Sequence, residues 1–253
     1  MGGFLSAFEK SVRRNFGGDL VGLIKDIDRR VLMLDLEGVV GPKLSDLPPG
    51  KMIARKLREY VAKRISIEEE GGALESEFLR LSKKYGTDAL LYALRWEYGI
   101  TYQDVIKEVY MPELNRLEQY LTPDKELREL LKRARDIGKE IVLLSNSNSA
   151  VVDAMLSGLE LSSLFDSVIT VEMFDKRLRP KPYPEAYDLA LVHRGLAGRY
   201  ADALYVDDRK DNLLAPHGMG IKTILVSADS QSERWIDHRV DDLTSLLRVV
   251  TTI

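Results

Sequence analysis

The chain has 253 residues, 45% of them hydrophobic and 30% charged, with a net charge of −3 and no cysteine. That is enough to build one large domain, or a core with an insert, while staying soluble. It excludes disulfides and thiolate metal sites, gives no electrostatic reason for a nucleic-acid or anionic-membrane partner, and fits a cytoplasmic setting.

Phe4–Lys25 has an amphipathic look, and Gly2 with Ser6 fits a loose myristoylation pattern that is too short to carry weight. "VLMLD" then reads as a buried strand, Val31–Asp35, followed by a loop from Pro42 to Gly50. From Lys51 to about Tyr120 the patterns are helical: "MIARKLREYVAKRI", "ALESEFLRLSKKYG", "DALLYALRWEYG" and "YQDVIKEVY", punctuated by Gly86 and Gly99. After this all-helical insert, Thr122-Pro123-Asp124 reads as a helix start with a hydroxyl cap, and the helix runs to Asp136 with Gly138 ending it. Strands and helices then alternate: "EIVLLSN", a helix near Ala150–Ser157, "SVITV", a helix over Pro184–His193, "ALYVDD", a short helix near Leu213, "IKTILV", and a last helix capped by Asp241 or Asp242. The alternation predicts an α/β fold with a parallel sheet covered on both faces.

In such a sheet, ligands bind beyond the carboxyl ends of the strands. The first strand ends in Asp35, the second in Ser145-Asn146 and the fourth in Asp207-Asp208, and the third leads to Lys181 between two prolines. Asp35 and Asp208 in one cleft would repel each other unless a cation sat between them, and oxygen-only ligands suit a hard ion such as Mg2+. A carboxylate beside such an ion suits attack on phosphorus. Ser145 and Lys181 offer a donor and a positive charge to phosphoryl oxygens, Glu37 can protonate a leaving oxygen and then activate water, and Gly38 lets the backbone turn close to the metal.

"DLEGVV", "LLSNSN", "RPKPYPEAY" and "YVDDRKDN…GIKTILV" resemble, in order, the four motifs of the haloacid dehalogenase-like (HAD) hydrolase superfamily. The resemblance covers Val31–Val40 and about Leu121–Ser227. It implies a Rossmann-like core over residues 1–42 and 121–253, with a C1-type helical cap over 43–120. It further implies Asp35 as nucleophile, and Glu37 as acid/base with its backbone carbonyl on the metal. Ser145 and Lys181 would hold phosphate, with Gly38 and Asn146 in the substrate site. Asp208 would bind Mg2+ with Asp207 supporting, and Asn212 falls where many members have a further acid or amide. "YGITYQDVI…YLTPDKELRELLKRA" and "VDDRKDNL" look most similar to pyrimidine 5′-nucleotidase-like phosphatases. Most phosphatases of the superfamily have a second aspartate where this chain has Glu37. The dehalogenases usually have a tyrosine there and lack the acid pair.

Glutamate keeps the acid and adds roughly 1.5 Å of reach. Three readings of Glu37 stand: a working acid with a shifted leaving group, a slower or retuned enzyme, or a site given over to binding. The first is preferred because the other site residues are intact. The expected activity is therefore Mg2+-dependent hydrolysis of a small phosphorylated metabolite, with nucleoside monophosphates among the candidate substrates. The alternatives are a non-catalytic phosphate- or nucleotide-binding homologue and a phosphotransferase of the phosphomutase kind.

Several other residues are weighed against ordinary structural roles. The insert's aromatics are mostly read as helix packing, with one or two facing the site. Arg55, Arg95, Arg177 and Arg179 are weighed as anion contacts against ordinary surface roles. Lys43 sits in a loop that borders the pocket in this family, and Arg209 is read as a neutraliser of the acid pair. His193, His217 and His238 have no zinc spacing.

Overall fold

The computed structural model describes residues 29–67, 72–227 and 233–251; Phe4–Lys25, Gly2 and Ser6 lie outside them. Six strands form one sheet: β1 (Val31–Leu34), β2 (Glu140–Leu144), β3 (Ser167–Ile169), β4 (Ala203–Asp207), β5 (Lys222–Val226) and β6 (His238–Val240). Their order is β3-β2-β1-β4-β5-β6 and every pair is parallel. Unbroken apolar runs make the central strands: all of β1 and β4 is buried, as a sheet covered on both faces requires. Met33 of β1 stands level with Val142 of β2 and Tyr205 of β4.

The helices are α1 (Pro48–Ile65), α2 (Ala73–Tyr85), α3 (Leu90–Tyr98), α4 (Tyr102–Val105), α5 (Met111–Leu114), α6 (Lys125–Asp136), α7 (Ser149–Gly158), α8 (Pro184–Val192), α9 (Asp211–Met219) and α10 (Leu243–Val250). α6 and α8 pack on β2, α9 packs on β4 and β5, and α10 packs on β6 and α6. α1 to α5 form the helical insert between β1 and α6. No helix among the described residues is long and apolar enough to cross a membrane. The chain runs outward from β1 to β3, returns to β4 beside β1, and runs outward again to β6. The carboxyl ends of β1 and β4 therefore flank the switch point of the sheet, where such folds bind ligands.

Several boundaries differ from the sequence reading, each for a local reason. Asp124, not Thr122, caps α6: its carboxylate accepts from the backbone N–H of Glu126 (2.9 Å) and Leu127 (3.0 Å). Pro123 thus precedes the cap rather than opening the helix. Of the two acids the sequence offers for the last helix, Asp242 is the cap, accepting from Ser245 N–H at 2.7 Å. The loop after β1 contains a 3-10 turn at Leu44–Asp46, and Pro48-Pro49 open α1, where a missing N–H leaves nothing unpaired. "YQDVIKEVY" is not one α-helix: Ile106–Tyr110 is a π-turn, and Met111 N–H bonds Ile106 O five residues back. Pro112 has no N–H for the Glu108 carbonyl, so the ladder widens just before it. β3 stops at Ile169, since Val171–Met173 turns as a 3-10 helix. β6 is too short, and too polar in His238 and Arg239, to have been read as a strand.

Candidate active site

Two strand ends and one loop bring the charges together. Asp35 follows β1 and is 7% exposed; Lys181, on the loop before α8, is 2% exposed; Asp207 closes β4 and is 0% exposed. The Lys181 ammonium donates to Asp35 Oδ1 at 2.7 Å and to Asp207 Oδ2 at 3.0 Å. Burial alone would lower the lysine's pKa, but Asp207 and Asp35 together raise it, so it stays charged. Burial raises Asp35 to about 7; Lys181 opposes that rise and Asp207 adds to it.

Asp207 has no capacity left. Oδ1 accepts from Arg209 N–H (2.8 Å) and Asn212 Nδ2 (3.1 Å), and Oδ2 accepts from Asn212 Nδ2 (3.0 Å), Lys181 and the Tyr205 hydroxyl. Asn212 is buried by the start of α9, where the sequence places a further amide. Asp207 thus acts as the anchor of Lys181.

The turn after β1 is tight: Val40 and Gly41 N–H both bond Leu36 O, and Gly38 N–H bonds Gly41 O at 2.8 Å. Gly38 has φ +84°, and a Cβ there would stand 2.6 Å from Asp208 Oδ2. Only glycine gives this backbone both its left-handed turn and its clearance over the acid. Glu37 borders the cleft, but both its oxygens are engaged: Oε2 accepts from Leu44 N–H (2.7 Å) and Oε1 from the Ser147 hydroxyl (2.6 Å). Its side chain therefore joins the β1 turn to the insert's first segment and to the loop after β2. Lys43 sits 2.6 Å from Asp208 Oδ2, and that contact raises the lysine's pKa.

In the loop after β2, Ser145 is 2% exposed and its Oγ accepts from Ser147 N–H at 3.1 Å. Asn148 caps α7 through Val151 N–H. Asn146 Nδ2 donates to Asp88 Oδ1 (2.7 Å) and to Lys181 O (3.0 Å), while its Oδ1 accepts from Lys181 N–H (3.1 Å). Asn146 thus sets the lysine loop, and its amide is already committed there.

Thr87 and Asp88, between α2 and α3, complete the site from the insert. The Thr87 hydroxyl donates to Lys181 O at 2.6 Å, and Asp88 takes Asn146 and the Arg209 guanidinium. Arg209 therefore neutralises Asp88 rather than the acid pair, which Lys181 and Lys43 serve. Ser147, Thr87 and Asp88 were not singled out from the sequence. The insert pair carries no motif spacing, and only folding brings it to the strand ends.

The other candidates lie elsewhere or are spoken for. Arg179 pairs with Glu185 and stacks on Tyr183, Arg95 lies over Trp96 and Tyr102, and Arg55 pairs with Glu59. His217 sits 3.3 Å from Asp237.

The cleft encloses about 380 Å³, with Ile53, Leu57 and Leu91 on its apolar side and Tyr110 its one aromatic among the described residues. Asp35, Asp207 and Asp208 each offer an oxygen within 4.8 Å of the others. With Asp207 saturated, Asp35 and Asp208 are the pair able to ligate, and the all-oxygen donor set fits a hard divalent cation. The Glu37 carboxylate is not in this group.

A family model described as haloacid dehalogenase-like hydrolase matches residues 30–220. A curated relative named ribulose-1,5-bisphosphate 5-phosphatase, from Halopiger xanaduensis, is 27% identical over 146 residues. That match covers 53% of this chain, and the chain spans 58% of that protein's length. Among solved structures, L-2-haloacid dehalogenase from Xanthobacter autotrophicus matches with a TM-score of 0.55 at 19% identity, covering 88% of this chain and 98% of that one. A HAD phosphatase from Thermococcus onnurineus matches with a TM-score of 0.58 at 14% identity, covering 87% and 97%. At these identities the structural matches speak for the fold alone.

Proposed function

The chain belongs to the haloacid dehalogenase-like hydrolase family, and on that premise we propose that it is a Mg2+-dependent phosphomonoesterase working through an aspartyl phosphate on Asp35. The observation that carries this reading is the buried Lys181, which holds Asp35 at 2.7 Å beside Asp208 at the switch point of the sheet. Mg2+ on Asp35 and Asp208 would offset their charge and polarise the phosphoryl oxygens.

The chain's own groups do the rest. An Asp35 oxygen forms a bond to phosphorus as the ester P–O bond breaks. Glu37 gives its proton to the leaving oxygen, then takes one from the water that attacks the same phosphorus and frees Asp35. Ser145 and Lys181 meet the phosphoryl oxygens. For Glu37 to serve, it must exchange its bond to Ser147 or Leu44 for the substrate.

The substrate proposed is a small, sugar-sized phosphate ester. A single aromatic in a cleft with an apolar side and several charges gives a nucleobase little to stack on, and the curated relative is named for a sugar bisphosphate. A nucleoside monophosphate is thereby the less favoured substrate. The second reading, phosphate binding without turnover, is favoured by one observation: both oxygens of Glu37 are engaged.

The test is phosphate release from a panel of sugar phosphates and nucleotides, with Mg2+ and with chelator. Mg2+-dependent release supports the enzyme. Saturable ligand binding with no release from any ester would leave the binding reading.

A further inference from the structure

Lys43 enters the cleft from the segment that follows the β1 turn. Its ammonium lies 2.6 Å from Asp208; the lysine side chain is half exposed while that of Asp208 is only 10% exposed. The turn is shaped around the pair. A Cβ on Gly38 would meet both Asp208 Oδ2 at 2.6 Å and Lys43 Cε at 3.0 Å. The other cations that line the cleft are committed: Lys181 to Asp35 and Asp207, Arg209 to Asp88. Lys43 is paired to the very carboxylate that a divalent cation would use. An ammonium and a divalent cation cannot share that oxygen at contact distance without strong repulsion.

We propose that Lys43 holds Asp208 in the metal-free protein, yields it to the divalent cation, and then serves as the anchor for a second anionic group of the substrate, a phosphate or a carboxylate. This rests on the reading of Asp208 as a cation ligand. The freed ammonium remains at the cleft edge on a flexible stem, near the solvent-exposed Asp46, a screened countercharge that a substrate anion would have to outcompete. A phosphomonoester bearing a second anion would find its reacting phosphate at Asp35 and its other end at Lys43.

Calorimetric titration of the full chain with Mg2+ alone reads the first half. Lys43→Met removes the competitor, and Mg2+ should bind about threefold tighter or more, while Lys43→Arg stays within about twofold of wild type. The position is half exposed, so both variants should fold. An unchanged or weaker Mg2+ affinity in Lys43→Met overturns the proposal. The second half is read as the ratio of kcat/KM for a sugar bisphosphate to that for the matching monophosphate. Lys43→Met should lower that ratio about tenfold, and an unchanged ratio overturns the anchor. A wild type that hydrolyses neither ester refutes the phosphatase reading instead. The Mg2+ titration then decides by itself whether Lys43 yields Asp208.

Discussion

Lys181→Met tests how the buried charges balance. The variant removes one ammonium from between two buried carboxylates and keeps much of the volume. Asp207 is wholly buried and paired with Lys181, so losing that partner should cost about 3–5 kcal/mol of folding stability. Asp35 adds a pH-dependent part. Its folded pKa is raised from 3.8 to about 7, so in the wild type its favourable contribution is full at acid pH and is lost as pH rises through 7. Without Lys181 the charged form of Asp35 loses its nearest opposite charge, and its pKa rises further. Above pH 7 the wild type therefore stops losing stability from this group while the variant continues to lose it. The gap should widen by up to about 1.4 kcal/mol per pH unit. Urea unfolding of both proteins in chelator at pH 6, 7 and 8 measures it. A gap that is constant or narrowing over that range would refute the charge balance described.

Other substitutions probe separate parts of the site. Asp35→Asn should reduce phosphate release by a factor of about 10³ or more while leaving the protein folded, as read by steady-state kinetics and circular dichroism. Glu37→Gln keeps a carbonyl for one of the two bonds but no titratable proton. It should lower kcat by about 10²–10⁴ and change stability by no more than about 1 kcal/mol. Glu37→Asp is one methylene too short to hold Leu44 N–H and the Ser147 hydroxyl together, so denaturant unfolding should show a loss of about 0.5–1.5 kcal/mol. Gly38→Ala forces a side chain into a left-handed turn against Asp208. It should cost about 1–3 kcal/mol and weaken Mg2+ binding in the same calorimetric titration.

Much of this site could be read from residue order because strands announce themselves. Apolar runs ending in Asp35, Ser145 and Asp207-Asp208 fix both the sheet and the edge at which those groups meet, and Lys181 between its prolines joins them. Three of the insert's four helical patterns were equally plain from their three-to-four spacing, and the fourth is broken by the π-turn before Pro112. What stayed hidden depends on contacts between distant parts of the chain. Asp88 reaches Asn146 and Arg209 across 58 and 121 residues, and Glu37 reaches Ser147 across 110. No local pattern encodes such pairs. Arg209 illustrates the point: beside two acids in sequence, it turns to a third from the insert. The cap of α6 failed for the opposite reason, since several nearby residues satisfy the same local rule and small differences in reach decide among them, while β6 is three residues with two polar side chains and carries no apolar run.

In the proposed mechanism Asp35 carries the phosphoryl group between the two half-reactions. The direct measurement is acid quenching of the Mg2+-loaded chain during turnover of its best phosphate ester, followed by mass-spectrometric mapping of the peptides. A phosphoryl group is expected on Asp35 in the wild type and none in Asp35→Asn. Rapid turnover with no phosphorylated Asp35 at any quench time, or a phosphoryl group on another residue, would contradict it.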